Sequence, residues 1–247
     1  NMKYKISIII ATYNADKYIQ RAITSVLNQC LENYECIVVD GMSTDKTLSI
    51  IESYIQENSH IRLISEKDNG IFDAYNKGWK AAKGEWIYYL GADDVLLSNG
   101  LNDLLEEANG YDIIYGNHID QLEKKQYHPK SKSYRIVKHL MFCCHQALII
   151  KRDVIKSLGG FNINYLLCAD FDLIQRAYLS GYKFKQISCD VCVFSLAGVS
   201  NKSLYGTDKE VRRISINNGC YKYISLVQMY YLIRKTVKYL LLKFHII

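Results

Sequence analysis

The chain has 247 residues, 49% hydrophobic and 23% charged, with one Pro and 14 Gly. That composition suits a globular protein with a sizeable core and excludes collagen-like, disordered and multi-span membrane chains. The net charge of +6 is uneven: residues 211–247 hold seven basic residues and no acidic one, while the first 210 carry 24 Lys and Arg against 25 Asp and Glu, unlike a chain-wide nucleic-acid footprint.

The first 116 residues alternate strand and helix. Ile6–Ala11 is a continuous β-branched run, as in a strand buried on both faces. Tyr18/Ile19, Ala22/Ile23 and Val26/Leu27 recur at a spacing of four and predict an amphipathic helix. Cys36–Val39 is a second strand. Ser43 and Thr44 are expected to cap a helix carrying Leu48, Ile51 and Ile55. Ile61–Ile64 is a third strand, and Gly70 precedes a helix with Phe72, Tyr75, Trp79 and Ala82 on one face. Trp86–Leu90 and Ile113–Tyr115 are further strands. This alternation predicts an α/β fold, a doubly wound and mostly parallel Rossmann-like sheet with the ligand-binding loops along one edge.

The second half alternates less. Residues 121–134 read as polar and irregular, Ala147–Ile150 and Val191–Phe194 as strands, and Asp170–Ser180 as a short helix. The expected boundaries are one domain over 2–210, with a nucleotide-binding half of about 2–116 and an acceptor-binding half of about 117–210, and a basic amphipathic tail over 211–247. The run Ile6–Ala11 is too short for a secretory leader, so the eight Cys are expected as structural thiols in a cytoplasmic setting. Neither the single CxxC at Cys189 and Cys192 nor Cys143-Cys144-His145 has metal-site spacing.

Acidic residues fall just past strand ends, at Asp40 and at Asp93-Asp94. Carboxylates there suit a nucleotide's polar edges and a hard divalent cation; the alternative is that they only cap loops. No GxGxxG or GxxxxGK[ST] loop follows the first strand, which ends Ala11-Thr12-Tyr13-Asn14. Tyr13 could stack on a base or close the core edge.

These segments resemble family 2 glycosyltransferases with the GT-A fold. Ser7–Asn14 resembles the family's opening strand, and Val38–Thr47 its "VDDGSTDGT" segment, with Gly41 at the second acidic position. Gly91-Ala92-Asp93-Asp94 resembles the DXD-type motif, lacking its first carboxylate. Glu66–Gly78 resembles the bacterial surface-polysaccharide (O-antigen, capsule, exopolysaccharide) branch, and Cys168–Leu173 the segment supplying the catalytic base. The resemblance implies that Thr12, Tyr13 and Asn14 line the nucleotide, with Tyr13 stacking, and that Asp40 accepts from the base imide of a uridine. It implies that Asp73 and Asn76 lie near the nucleotide, that Asp93 touches the ribose, and that Asp94 holds a divalent metal, manganese or magnesium, on the diphosphate. Asp170 is implied as the catalytic base, with Asp172 as the alternative; Asp170 could instead N-cap its helix. His145, Gly160 and Asp172 fall in the donor-sugar or acceptor region. A late metal-ligating His of some relatives is missing near Val199-Ser200.

The implied activity is inverting transfer from a UDP-sugar to a saccharide acceptor, polyprenyl-diphosphate-linked, at the inner face of the cell membrane. A nucleotidyltransferase and a non-catalytic nucleotide-sugar module are the competing classes. Segment 221–247 reads as a basic amphipathic helix for an anionic membrane surface, with Leu226, Tyr230, Ile233, Val237, Leu240, Leu241 and Phe244 on its apolar face. Its alternative uses are packing on the domain or a homodimer contact.

Overall fold

The computed structural model describes residues 4–196 and 206–243. It opens with β1 (Tyr4–Thr12), α1 (Ile19–Leu27), β2 (Tyr34–Asp40), α2 (Thr47–Glu57), β3 (Ile61–Ser65), α3 (Ile71–Ala81) and β4 (Gly84–Gly91). The four strands expected here lie within β1 to β4. Ser43 and Thr44 do not cap α2; the Thr47 N–H donates to Asp45 Oδ1 at 2.9 Å instead.

After β4 come β5 (Val95–Leu96), α4 (Gly100–Glu106), β6 (Ile113–Leu122), β7 (Lys125–Tyr127), β8 (Leu148–Lys151), α5 (Arg152–Ser157), α6 (Ala169–Leu179) and β9 (Phe184–Ser195). Two helices close the chain, α7 (Gly206–Asn217) and α8 (Leu226–Lys243). The sheet order is β3-β2-β1-β4-β8-β6-β9-β5, with β7 paired to β6. The strands β3, β2, β1 and β4 are mutually parallel. The expected continuation differs: β8 enters antiparallel between β4 and β6. Residues 121–134, expected to be irregular, begin as the β6–β7 hairpin.

Both sheet faces are covered, which is why β1 reads as an unbroken apolar run. Ile6, Ile8 and Ile10 pack on one side with Ile19, Ile23 and Val26 of α1 and Ile51 of α2. Ile9 and Ala11 face the other side with Ala74 and Tyr75 of α3 and Phe171 and Ile174 of α6. Burial of each such isoleucine contributes about 1.5–3 kcal/mol.

The boundary expected at 210/211 falls inside α7. Ile214 and Ser215 are fully buried. The Gln175 side chain donates to Ser215 Oγ at 3.1 Å, and Asn218 donates to the Gln175 side-chain oxygen at 3.0 Å. The helix α7 is therefore part of the core.

Candidate active site

Parallel register lines up the C-terminal ends of three strands, with Thr12 beside Asp40 and Asp40 beside Ser65. The loops that follow carry the residues expected to line a nucleotide. Tyr13 projects from them with 62% of its surface exposed. Thr12 is buried and its hydroxyl has no partner among the described residues. Asn14 and Met42 both take left-handed backbone conformations, at φ 47° and 66°. Such residues persist only where the surroundings hold them. Asn14 is held by its N–H donating to Ser43 Oγ and by its Oδ1 accepting the Thr44 N–H, both at 2.8 Å.

Several nucleotide residues expected to meet a ligand directly are occupied by the protein. Asp40 is fully buried. Its carboxylate accepts from the Ser43 N–H and the Ser65 hydroxyl, each at 3.0 Å, and from the Ser43 hydroxyl. Asn76 clamps the 160–161 loop to α3. Its Nδ2 donates to Phe161 O at 2.8 Å, while its Oδ1 accepts from the Phe161 N–H and Trp79 Nε1, both at 2.9 Å. Gly160 suits that clamp, with φ at +80° and a Cβ there falling 2.5 Å from Asn76 Oδ1. Asp73 braces the preceding loop by accepting from the Asn69 N–H at 2.9 Å.

At the end of β4, Gly91 leaves room for two carboxylates. A Cβ on Gly91 would lie 2.6 Å from Asp94 Oδ2 and 3.2 Å from Asp93 Oδ1. The missing first carboxylate of the motif is thus the space that Asp93 and Asp94 share. Asp94 is 1% exposed, and its Oδ1 accepts the Ser195 N–H at 2.9 Å. Burial, then the charge of Asp93, pushes its carboxyl up to about 7. Among the described residues no group of three His, Cys, Asp or Glu could hold a metal by itself. Two converging carboxylates do fit a magnesium-like ion that completes its shell with water and substrate phosphates. Val199-Ser200 lie outside the described residues.

Asp170 sits in the first turn of α6, where Cys168 and not Asp170 takes the N-cap position. Its Oδ2 lies 3.7 Å from His145 Nδ1. Burial raises the Asp170 carboxyl above the ordinary range, an effect that His145 opposes. The same burial lowers His145. The His145 ring stacks on Tyr75 at a 5.9 Å centroid distance and meets Tyr89 edge-on at 5.2 Å. Both hydroxyls, and both His145 nitrogens, are buried without a hydrogen-bond partner among the described residues. Burial raises Tyr75 well above its ordinary value, and the charges of Asp94, Asp170 and Asp93 add to that. Tyr75 thus connects to Asp170 through the His145 ring that stacks on it. Sequence reasoning placed Tyr75 only on a core face and did not single out Tyr89.

Asp172, the alternative base, is already engaged within the protein. It accepts from Arg176 Nε at 2.8 Å and from Asn218 at 3.2 Å. The Arg176 guanidinium also donates to Leu158 O and Gly160 O. Glu210 was equally invisible in the sequence. From α7 its carboxylate accepts the N–H groups of Leu166, Leu167 and Cys168 at 2.9, 2.7 and 2.6 Å, fixing the chain that leads to Asp170.

The fold and these carboxylates suit a transferase, and comparison with known proteins gives the family. The Glycosyl transferase family 2 profile matches residues 7–159. The chain belongs to that family and is a glycosyltransferase with the GT-A fold. It is 31% identical over 186 residues to a PGL/p-HBAD biosynthesis glycosyltransferase of Mycobacterium tuberculosis, covering 70% of this chain and 69% of that one. It is 26% identical over 189 residues to glycosyltransferase GlyG of Streptococcus pneumoniae, covering 74% and 60%. Among solved structures, S. aureus TarS 1-349 in complex with UDP-GlcNAc superposes with a TM-score of 0.71 at 22% identity, over 87% of this chain and 67% of that one. The mannosyltransferase PcManGT from Pyrobaculum calidifontis, in complex with GDP-Man and Mn2+, gives 0.70 at 15% identity, over 95% and 69%. Family membership sets aside the nucleotidyltransferase and the non-catalytic module.

Proposed function

We propose that the enzyme transfers a sugar from a UDP-sugar to a hydroxyl of a saccharide acceptor, with inversion, in surface-glycan synthesis. The observation that carries this reading is the pair Asp93 and Asp94 converging at Gly91, with Asp170 set against His145, whose ring packs on Tyr75 and on Tyr89 of the same β4 strand. The carboxylates come from segments 76 residues apart or more, and core packing alone gives no reason to assemble their charges. The acceptor oxygen attacks the anomeric carbon, a C–O bond forms as the sugar–phosphate bond breaks, and Asp170 takes the hydroxyl proton. Tyr13 offers its exposed ring to the base. A divalent cation bound at Asp93 and Asp94 would neutralise charge on the leaving diphosphate. The UDP-GlcNAc complex of TarS and the Mn2+ complex of PcManGT support this choice of donor class and cofactor. UDP is expected to stabilise the protein against heat with manganese present, and ADP to do so clearly less. Equal stabilisation by the two nucleotides would refute the uridine reading.

The acceptor is proposed to be lipid-linked and met at the inner face of a membrane. No described helix is long and apolar enough to cross one. The helix α8 instead turns its polar side inward: Gln228 donates to His139 O at 2.8 Å, Lys132 to the Tyr231 hydroxyl at 2.9 Å, and Lys235 pairs with Asp208 at 2.6 Å. Leu226, Tyr230, Ile233 and Val237, spaced four, three and four apart, are left exposed on the outside. Arg234 is exposed beside them, whereas Lys235 is held by its ion pair. Leu240, Leu241 and Phe244 lie outside the described side chains. An outward apolar stripe with the exposed Arg234 beside it suits an anionic lipid surface. The 247-residue chain is expected to sediment with phosphatidylglycerol vesicles at low salt, and the Ile233→Glu, Val237→Glu double variant to stay in solution. A parent chain that ignores these vesicles, or that dimerises through the stripe, would refute the membrane assignment.

A further inference from the structure

Asp40 is fully buried and its carboxylate already accepts three hydrogen bonds, two from Ser43 and one from Ser65. One residue further on, Gly41 begins the loop after β2, its N–H donating to Thr12 O at 2.9 Å. A Cβ on Gly41 would lie 2.6 Å from Asp68 Oδ2. A carboxylate from another loop therefore fills the space that a side chain at position 41 would take. We infer that Asp68, rather than Asp40, supplies the carboxylate that reads the nucleotide's base, with Gly41 absent of a side chain so that Asp68 can sit there.

The loop holding Asp68 is braced for such a role. Asp68 Oδ1 accepts the Gly70 N–H at 3.0 Å, which fixes the carboxylate's orientation. Asp73 accepts the neighbouring Asn69 N–H at 2.9 Å. Lys77 pairs with Glu66 at 3.3 Å and donates to Lys67 O. Asp68 Oδ2 accepts no hydrogen bond from any described residue, and Asp68 keeps partial contact with solvent. A fixed carboxylate with one free oxygen, beside the exposed Tyr13 loop, is a discriminating acceptor. Uracil presents an N3–H that donates to it, and cytosine presents a lone pair at the same place that is repelled.

This inference rests on the uridine reading above, and its test separates the two. The probes are UDP and CDP, titrated by calorimetry with manganese present, so neither sugar nor acceptor need be known. The parent is expected to bind UDP at least about tenfold more tightly than CDP, the range of one hydrogen bond to a charged group. Asp68→Asn can turn its amide either way, so the preference should collapse to about threefold or less. Gly41→Ala should also weaken UDP, since its methyl displaces the Asp68 carboxylate while the backbone there tolerates a side chain. A parent that binds the two nucleotides equally, or binds neither, overturns the uridine reading and the inference with it. A parent that prefers UDP, with Asp68→Asn keeping both that preference and the parental melting temperature, overturns the inference alone.

Discussion

Asp170→Asn is expected to slow UDP release from a UDP-sugar by about 10²–10⁴-fold while leaving UDP affinity within about twofold, the signature of lost general-base catalysis. The partner of Asp170 is His145, at 3.7 Å, and not a residue of the β2 or β3 loops expected to line the nucleotide. Its direction of titration gives a second check. A carboxyl raised by burial holds its proton more tightly in the folded than in the unfolded chain. Its contribution to stability therefore declines as pH rises from the ordinary carboxylate value to the raised one, and is constant above. The base must be ionised to act, so the acidic limb of the rate profile is expected above the ordinary carboxylate range. Asp172→Asn serves as the contrast. It breaks the contact with Arg176 and is expected to cost about 1–3 kcal/mol of stability, with turnover of the folded fraction unchanged. A large fall in turnover for Asp172→Asn, with none for Asp170→Asn, would show that the wrong carboxylate has been assigned.

The first half of this fold was legible because its physics is local and periodic. Ile6–Ala11 had to be a strand covered on both faces, and the four-residue spacing from Tyr18 to Leu27 had to be a helix. The direction of β8 was not legible. Leu148–Ile150 is apolar whichever way it runs, and only its pairing with Ile87 and Ile114 fixes it as antiparallel. The short elements β5, β7 and α5 have too few residues to show a period. At the site, Asp93 and Asp94 stood out in the sequence as a carboxylate pair just past a strand end, and Asp170 only through the resemblance of its segment to the family's. What each other residue does there depends on its partners. Asp40, Asn76 and Asp172 look like ligand contacts in the sequence, yet their polar atoms are consumed by Ser43 and Ser65, by Phe161 and Trp79, and by Arg176. Asp68 and Glu210 had no such pattern to announce them, because what defines their roles is a distant contact with Gly41 in one case and with 166–168 in the other.

Asp94→Asn is expected to abolish metal-stimulated activity and to leave the metal-free protein at least as stable as the parent above pH 7. The two effects share a cause. Burial beside Asp93 pushes the Asp94 carboxyl up to about 7, so the ionised form is unfavourable in the folded chain without a cation. By linkage, the stability this group contributes is lost progressively as pH rises from about 4, its unfolded value, toward 7. An asparagine removes that charge and keeps an oxygen for the Ser195 N–H. The same shift makes the cation compete with a proton. Manganese affinity, measured by calorimetry in the presence of UDP, is expected to fall as pH drops from 8 to 6, and the pH dependence should vanish in the variant. Full activity of the parent in excess chelator would overturn the role given to Asp94. So would an Asp94→Asn protein that still responds to manganese.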